Sequence, residues 1–216
     1  MKKLIETIKN IFKIEELRKR ILFTLALILV YRFGSFVVIP GINPEALQAL
    51  QSQVEGNGLM GLLNIFSGGA FSNASIFALG IMPYISASIV IQLMGIVVPY
   101  FQKLQKEGES GRRKINQWTR YLTIIVLLLQ GPAYLANLHA QLPDAAFVLG
   151  RGSVLFTVSA TIVLIAGTMF VMWLGEKITD KGIGNGVSLI IMVGIIARLP
   201  HALMAELNTR FTEATG

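Results

Sequence analysis

Few side chains inside the apolar stretches of this sequence could take part in chemistry, and they form no known catalytic pattern. Cysteine is absent, which excludes disulfides, thiol nucleophiles and thiolate metal ligands. His139 and His201 flank apolar stretches without a partner at metal-ligand spacing, and no acidic pair or metalloprotease motif lies within one. The one charged residue well inside an apolar stretch is Arg32, which we interpret as an interfacial side chain that reaches toward lipid head groups, with a functional role as the alternative. We therefore expect no enzyme activity, no cofactor and no metal site.

The elements that hold these residues are predicted to be membrane helices. Between Gly56 and Gln102 the sequence runs for 47 residues without a charged side chain, whereas one crossing needs about 20 apolar residues. The breakers Ser67, Gly68 and Gly69 divide this run into a short apolar piece and a longer one. A half-helix feeding a crossing is tolerated only inside protein or around a water-filled cavity, because lipid cannot satisfy its broken backbone. The run therefore predicts a re-entrant segment in a channel or a transporter.

The composition predicts an all-α fold, a polytopic membrane helix bundle with five crossings and one short re-entrant half-helix. Hydrophobic residues make up 53% of the sequence and charged residues 14%, below the roughly 25% charged residues of soluble domains. The fifth crossing is short and rich in glycine, which favours a place inside the bundle over a thinned bilayer. The crossings are predicted at residues 21–40, 74–100, 121–138, 152–175 and 183–197.

The segments between the predicted crossings alternate between many and few basic residues, and this pattern indicates the orientation in the membrane. Of the nineteen lysines and arginines, seven lie in residues 1–20, six in residues 102–120 and two in residues 176–181, all on one side of this topology. The positive-inside rule places that side in the cytoplasm. Residues 1–20 are predicted to be a cytosolic amphipathic segment, residues 102–120 a cytosolic loop and residues 199–216 an external segment. The net charge of +7 thus indicates contact with anionic lipid rather than with nucleic acid.

Three stretches carry a resemblance to a known family. They are NIFSGG at residues 64–69 with SIFALGIMPYISAS at residues 75–88, KEGESGRRK at residues 106–114, and WLGE at residues 173–176 with GIGNG at residues 182–186. Together and in this order, they resemble the SecY family, whose members are the central subunit of the bacterial protein-translocation channel. The resemblance runs over nearly the whole chain.

The resemblance implies one half of a longer protein. SecY proteins have ten crossings in two pseudo-symmetric halves, and residues 21–198 would form one five-helix half. The implied location is the bacterial inner membrane, with a cytoplasmic N-terminus. The implied partners are the second SecY half, SecE and SecG, the SecA motor or the ribosome, a signal sequence, the translocating polypeptide and membrane lipid, with no nucleic acid except ribosomal RNA.

The resemblance also implies a plug and an apolar pore ring. Residues 57–71 would close the pore from outside as a movable plug, since glycines beside it absorb backbone changes and few apolar residues are buried. An apolar ring dewets when empty and forms a collar around a passing polypeptide; core packing is the alternative for its residues. The implied plug residues are Asn57, Leu59, Met60, Leu62, Leu63, Asn64, Ile65, Phe66, Ser67, Gly68 and Gly69. The implied ring residues are Ile81, Ile85, Val187 and Ile191.

The second and third crossings would form one side of a lateral gate, through which hydrophobic segments leave for lipid. Ser86 and Gln130 are expected to pair, because unpaired polar side chains in a crossing cost free energy; a bond from Ser86 to its own helix is the alternative. Pro83 is expected to bend the second crossing. The implied gate residues are Met82, Ser86, Ile89 and Gln130. The implied cytosolic-loop residues, which could instead bind lipid head groups, are Lys106, Arg112, Arg113 and Lys114.

The sequence therefore predicts the pore-forming subunit of a channel that passes unfolded polypeptides and releases hydrophobic segments sideways. The alternative is half of a small-solute transporter with a binding site at the broken helix. That alternative calls for a buried charge or an ion-coordinating cluster, which the predicted crossings lack. A purely structural membrane module would leave the half-helix and the glycine-rich breaks unexplained.

Overall fold

The computed structural model describes residues 13–47, 58–148, 150 and 153–213. Most of the predicted amphipathic segment and Asn57 of the predicted plug lie outside these ranges. Within them the fold is all-helical, with two 3-10 turns at Pro44–Ala46 and Asp144–Ala146 and no β-strand beyond two isolated bridges. The helices are α1 (Glu15–Gly34), α2 (Gly58–Phe66), α3 (Met82–Val97), α4 (Pro99–Lys106), α5 (Glu109–Gln141), α6 (Val154–Lys181) and α7 (Gly186–Glu213).

Two of the described helices, α5 and α6, are long and apolar enough to cross a membrane. A third crossing is available if α3 and α4 act as one bent pair, and α7 has a shorter apolar part, Gly186–Pro200. Helix α1 begins within the basic segment and ends at Gly34, so residues 35–40 of the first predicted crossing are not helical. The all-helical architecture is thus confirmed for the described residues, whereas the count of five crossings is not.

The second predicted crossing begins eight residues later than expected. Residues 74–81 form turns rather than helix, and positive φ angles at Ala74 and Gly80 are incompatible with α-helical geometry. These turns pair with the chain after α1, because the Ile76 N–H donates to the Val37 carbonyl at 2.9 Å. The expected helix is therefore replaced here by a turn-rich segment whose backbone groups are satisfied by neighbouring chain.

Pro83 does not bend the second crossing, contrary to expectation. It lies in the first turn of α3, where a missing backbone N–H costs no helical hydrogen bond. The bend lies instead between α3 and α4, which meet at 99°. Val98 is extended there with ψ 118°, the conformation that a following proline favours, and Pro99 begins the new helix.

The predicted cytosolic loop at residues 102–120 is almost entirely helical. It comprises the end of α4 and the start of α5, joined by a turn at Glu107 and Gly108, so this connection is helical rather than irregular, and its cytosolic location stays a prediction. Lys106, Arg112, Arg113 and Lys114 accordingly lie on helices with exposed side chains. Good helix formers and i,i+4 ion pairs such as Arg113–Glu109 at 3.0 Å outweigh the glycine signal.

The second glycine of this segment, Gly111, lies within α5 at a close contact with α4. A Cβ atom at Gly111 would lie 1.7 Å from the Leu104 carbonyl oxygen, so α5 can cross α4 closely only with glycine there. The glycine thus marks a close contact between two helices. At the other end of the chain α7 continues through Pro200 to Glu213, so most of the predicted external segment is helical as well.

Three hydrophobic clusters hold the described helices together, and the smallest packs Ile91 of α3 against Phe101 and Leu104 of α4. The loop cluster joins the connections after α1 and α5 to α5 and α6, and it includes Ile39, Leu135 and Phe156, each at most 1% exposed. The central cluster joins α1, α6 and α7 around Tyr31 and Ile190. Because lipid supplies little hydrophobic drive between membrane helices, close packing must hold them. Helix α5 packs between α3 and α6, while α1 contacts both α6 and α7.

Candidate functional site: the half-helix and its seat

The short helix α2 is too short to cross a membrane. Its nine residues span about 13 Å, less than half of the hydrocarbon core. Leu62, Ile65 and Phe66 on α2 are exposed, whereas Met60 and Leu63 pack against the loop cluster. The side chain of Leu59 is not among those described. The predicted half-helix is therefore present, with one apolar side on the protein and the other uncovered.

The turn that follows α2 is far more buried than the helix itself. Residues 67–72 are all buried, although the sequence predicted a flexible segment of modest burial. Asn64 and Ser67 supply the capping bonds: the Ser72 N–H donates to Asn64 Oδ1 and the Phe71 N–H to Ser67 Oγ, both at 3.1 Å. Asn64 Nδ2 is buried and has no hydrogen-bond partner among the described residues. The C-terminal end of α2 is thus tightly structured, at the cost of one unsatisfied donor.

Side chains from α1, α5 and α7 hold the backbone of this turn. The Tyr31 hydroxyl donates to the Ser67 carbonyl at 3.3 Å, and Arg32 Nη1 donates to the Gly68 carbonyl at 2.6 Å. From α5, the Tyr134 hydroxyl donates to the Phe71 carbonyl at 2.9 Å. From α7, Arg198 Nη2 lies 3.5 Å from Ser72 Oγ. We call residues 67–72, with these four side chains around them, the seat of α2.

The glycines of the seat are required by its geometry. Gly68 and Gly69 have φ angles of +65° and +93°, in the left-handed region that L side chains rarely adopt. A Cβ atom at Gly68 would lie 2.9 Å from the Cα atom of Gly194 on α7. Two backbones therefore meet at Gly68 and Gly194, and these glycines permit close docking rather than free hinge motion.

Tyr31 and Tyr134 were not predicted to be functional from the sequence, and for Arg32 a functional role was only the alternative. Arg32 was interpreted as a side chain directed to lipid head groups, and the structure corrects this, because its guanidinium binds a carbonyl of the seat. The sequence signal was the rarity of an arginine within an apolar run, which marks a residue with a specific partner. The two tyrosine hydroxyls gave no sequence signal beyond the need of buried hydroxyl groups for acceptors.

The four predicted ring residues all belong to the central cluster or pack against it. Ile81 is 4% exposed at the N-terminal cap of α3, and Ile85, Val187 and Ile191 are partly buried against the same central cluster. Ala70 of the seat belongs to this cluster and is fully buried. The turn after α2 thus rests directly on the cluster that contains the predicted ring. Core packing, the alternative for these residues, describes their contacts within this chain equally well.

The predicted gate residues lie on α3 and α5, which pack against each other. Met82 is partly buried, whereas Ser86, Ile89 and Gln130 are exposed. The side chains of Ser86 and Gln130 do not hydrogen-bond to each other, and in the part of the chain that the structure describes neither side chain makes any other hydrogen bond. The expected pairing is therefore absent, as is the alternative bond from Ser86 to its own helix.

A polar cavity of about 850 Å³ opens on the basic side of the bundle. Three arginines and three acidic residues line it, and Arg120 forms a two-pronged ion pair with Glu176 that ties α5 to α6. Val187 of the predicted ring also lines it, so the cavity leads toward the central cluster. The charged lining residues are Glu109, Arg112, Arg113, Arg120, Glu176 and Asp180.

The glycine-rich connection at residues 182–186 fixes the start of α7 beside this cavity. The Ile183 N–H donates to Thr24 Oγ1 on α1 at 3.2 Å, and the Gly186 N–H donates to Thr179 Oγ1 on α6 at 2.9 Å. A Cβ atom at Gly186 would lie 2.0 Å from the Gly175 carbonyl oxygen. This motif therefore joins three helices through close backbone contacts. Among the described residues, no three His, Asp or Glu side chains are grouped to hold a metal ion.

Comparison with known proteins identifies the family. Residues 75–215, more than half of the chain, match the family model SecY. The protein translocase subunit SecY of Streptomyces scabiei is 48% identical over 198 residues, covering 89% of this chain and 45% of that protein. The protein translocase subunit SecY of Escherichia coli strain K12 is 50% identical over 188 residues, covering 87% of this chain and 42% of that protein. The chain thus spans less than half the length of these curated relatives.

Two solved structures share the fold. One, described as the structure of a protein conducting channel, matches with a TM-score of 0.52 and 19% identity over 83% of this chain and 36% of that one. The other, Sec61 in the canine ribosome-channel complex from the endoplasmic reticulum, matches with a TM-score of 0.50 and the same identity and coverage. The family model, the close relatives and the shared helical fold show that this chain belongs to the SecY family, as its sequence motifs indicated.

Proposed function

We propose that this chain is the N-terminal half of the pore-forming subunit of a protein-translocation channel. The observation that carries this proposal is the position of the seat, because a re-entrant half-helix ends on the cluster that contains Ile81, Ile85, Val187 and Ile191. A broken helix in a membrane needs protein or water around it, and a pore supplies both. The conduit itself performs no covalent chemistry on the polypeptide.

In this proposal the channel is closed in two layers. The apolar ring excludes water and ions when empty and fits loosely around many different polypeptides. Helix α2 covers the ring from the other side of the membrane as a plug, and the polar cavity beside Val187 is the cytosolic entrance. A polypeptide would enter through the cavity, pass the ring and displace α2.

Helices α3 and α5 would form one side of a lateral gate, and their exposed faces support this proposal. Ser86, Ile89 and Gln130 are uncovered in this half, as expected for residues that meet the second half of the channel. Because Ser86 and Gln130 do not bind each other here, their partners would be groups on that second half. Opening this seam would release a signal sequence or a membrane anchor into lipid.

The proposed assembly places this chain in the bacterial inner membrane with its N-terminus in the cytoplasm. The second SecY half would complete the pore, and SecE and SecG would bind around it. A ribosome or the SecA motor would supply the energy, since the described residues offer a passage rather than a motor. The exposed basic residues at the start of α5 suit a cytosolic surface that meets such partners or anionic lipid.

Deletion of residues 59–66 from the full-length subunit tests this function. We expect the bundle to assemble, because α2 contributes one partly exposed face to the core, and we expect higher ion conductance across a planar bilayer. Export of a substrate with a defective signal sequence should also rise. A folded channel with unchanged conductance and unchanged signal selectivity would show that α2 is not a plug.

A further inference from the structure

We propose that Arg32 is a positioning residue that holds α2 in its closed place from helix α1. The inference rests on the proposed function of α2 as a plug. Its basis is the bond from Arg32 Nη1 to the Gly68 carbonyl at 2.6 Å, which joins the last turn of α1 to the first turn after α2. Tyr31, the preceding residue, binds the neighbouring Ser67 carbonyl, so two consecutive residues of α1 hold two consecutive carbonyls of the seat.

The surroundings of Arg32 leave this carbonyl as its evident polar partner. Within the described part of the chain, no carboxylate lies at ion-pair distance from the guanidinium. The Phe36 ring lies 5.2 Å from the guanidinium carbon and fixes its position by a cation–π contact. An arginine at membrane depth is costly unless it is paired, so the bond to Gly68 is favoured over an unpaired charge. Release of α2 is unfavourable for the same reason, because it would leave the guanidinium without this partner.

The position of Arg32 makes the bond selective for the closed state. A Cβ atom at Gly68 would lie 3.1 Å from Nη1, so the guanidinium touches the turn itself rather than a distant part of α2. Gly194 of α7 contacts the same turn from another direction. The turn is therefore held between α1 and α7, and a movement of α2 that carries this turn away from α1 must break the Arg32 bond.

The test uses thiol labelling of the complete channel, since this chain has no cysteine of its own. The reporter is Leu63→Cys, whose side chain is partly buried against the loop cluster while α2 is closed. Arg32→Met removes the charge and the donor but keeps the length of the side chain. We expect it to raise the labelling rate at position 63 about tenfold, as loss of one charge-assisted hydrogen bond implies. Arg32→Lys, which keeps a cation, should raise it less.

Two controls separate release of α2 from general loosening. Arg20→Met removes an exposed arginine at the other end of α1, where it pairs with Glu16, and should leave labelling at position 63 unchanged. A second reporter, Leu135→Cys, is fully buried in the loop cluster and should stay unreactive in Arg32→Met. If Arg32→Met does not assemble, Arg32→Gln replaces it under the same criterion, because it also removes the charge while keeping a polar head group beside the turn.

The outcome distinguishes this inference from the function on which it rests. Labelling within twofold of the parent rate in the assembled Arg32 variant would overturn the inference, as would an equal rise at positions 63 and 135. If deletion of residues 59–66 raises conductance while Arg32→Met changes no labelling, the proposal that α2 is a plug is retained and the proposed role of Arg32 is rejected. If the deletion leaves conductance unchanged but Arg32→Met increases labelling at position 63 alone, Arg32 holds α2 in place and the proposal that α2 is a plug is rejected.

Discussion

Replacing Gly68 by alanine tests whether the turn after α2 is a fixed seat or a hinge. Gly68 has φ +65°, and an added Cβ would lie 2.9 Å from Gly194 Cα and 3.1 Å from Arg32 Nη1. A left-handed conformation costs an L-residue roughly 1–2 kcal/mol. Displacing the guanidinium would forfeit a charge-assisted hydrogen bond worth about 1.5–3 kcal/mol. We therefore expect Gly68→Ala to destabilise the closed position of α2 by about 1–2 kcal/mol if Arg32 adjusts, and by about 2.5–5 kcal/mol if the guanidinium is displaced.

The assay is ion conductance of the assembled channel in a planar bilayer, with a membrane expression measurement to confirm folding. A loss of this size corresponds to a rise in the open population of about fivefold or more, which conductance would detect. Gly58→Ala is the matched control, since it lies at the other end of α2 with no atom within 4 Å of its Cβ position. That control should behave as the parent, because alanine favours a helix.

Parent-like conductance in Gly68→Ala, in a channel that is folded, would refute the reasoning. It would mean that the turn yields to an added methyl group at little cost, as a hinge does. The burial of residues 67–72 would then have no bearing on closure, and the flexible segment predicted from the glycines would be the better description.

Further predictions follow from the ring, the topology and the cavity. Replacing Ile81, Ile85 and Ile191 with serine should raise ion leak, because a polar lining keeps water in the pore. An unchanged leak in an assembled channel would show that these residues only pack the core. A reporter inserted between Glu107 and Gly108 should report a cytoplasmic location and one within residues 43–47 an external one, and the same location for both would refute the topology. Arg120→Met should lower the free energy of unfolding by about 1 kcal/mol or less, because its ion pair with Glu176 is partly exposed. A larger loss would indicate a buried network of charges.

Much of the helical architecture could be predicted because long apolar runs and breakers are local signals. The half-helix was located from Ser67, Gly68 and Gly69, and the structure ends α2 at Phe66. The bend was predicted at Pro83 instead of Val98 because the helix was expected to begin at residue 74, whereas it begins at Met82. A proline bends a helix only when it lies in the interior, so an error in the boundary became an error in the bend.

The contacts that form the seat could not be predicted, because they depend on residues far apart in sequence. Arg32 and Gly68 are 36 residues apart, and Tyr134 and Phe71 are 63 apart. Nothing local to Gly68 distinguishes a glycine needed for mobility from one needed for close docking with Gly194. The basic segment at residues 102–120 shows the converse problem, since its charges suggested a loop although i,i+4 pairs and close packing at Gly111 favour helix.

Cross-linking from a polypeptide arrested in transit tests the central claim most directly. A photoreactive amino acid would replace Ile85 or Ile191 of the ring in the full-length subunit, and Ile162, which is 61% exposed on α6, in a control. We predict that the arrested polypeptide forms adducts at both ring positions and not at Ile162, and that no adduct forms when the polypeptide is released before irradiation. Adducts at Ile162 but not at the ring, or equal adducts at all three positions, would contradict the claim that the chain passes through this cluster.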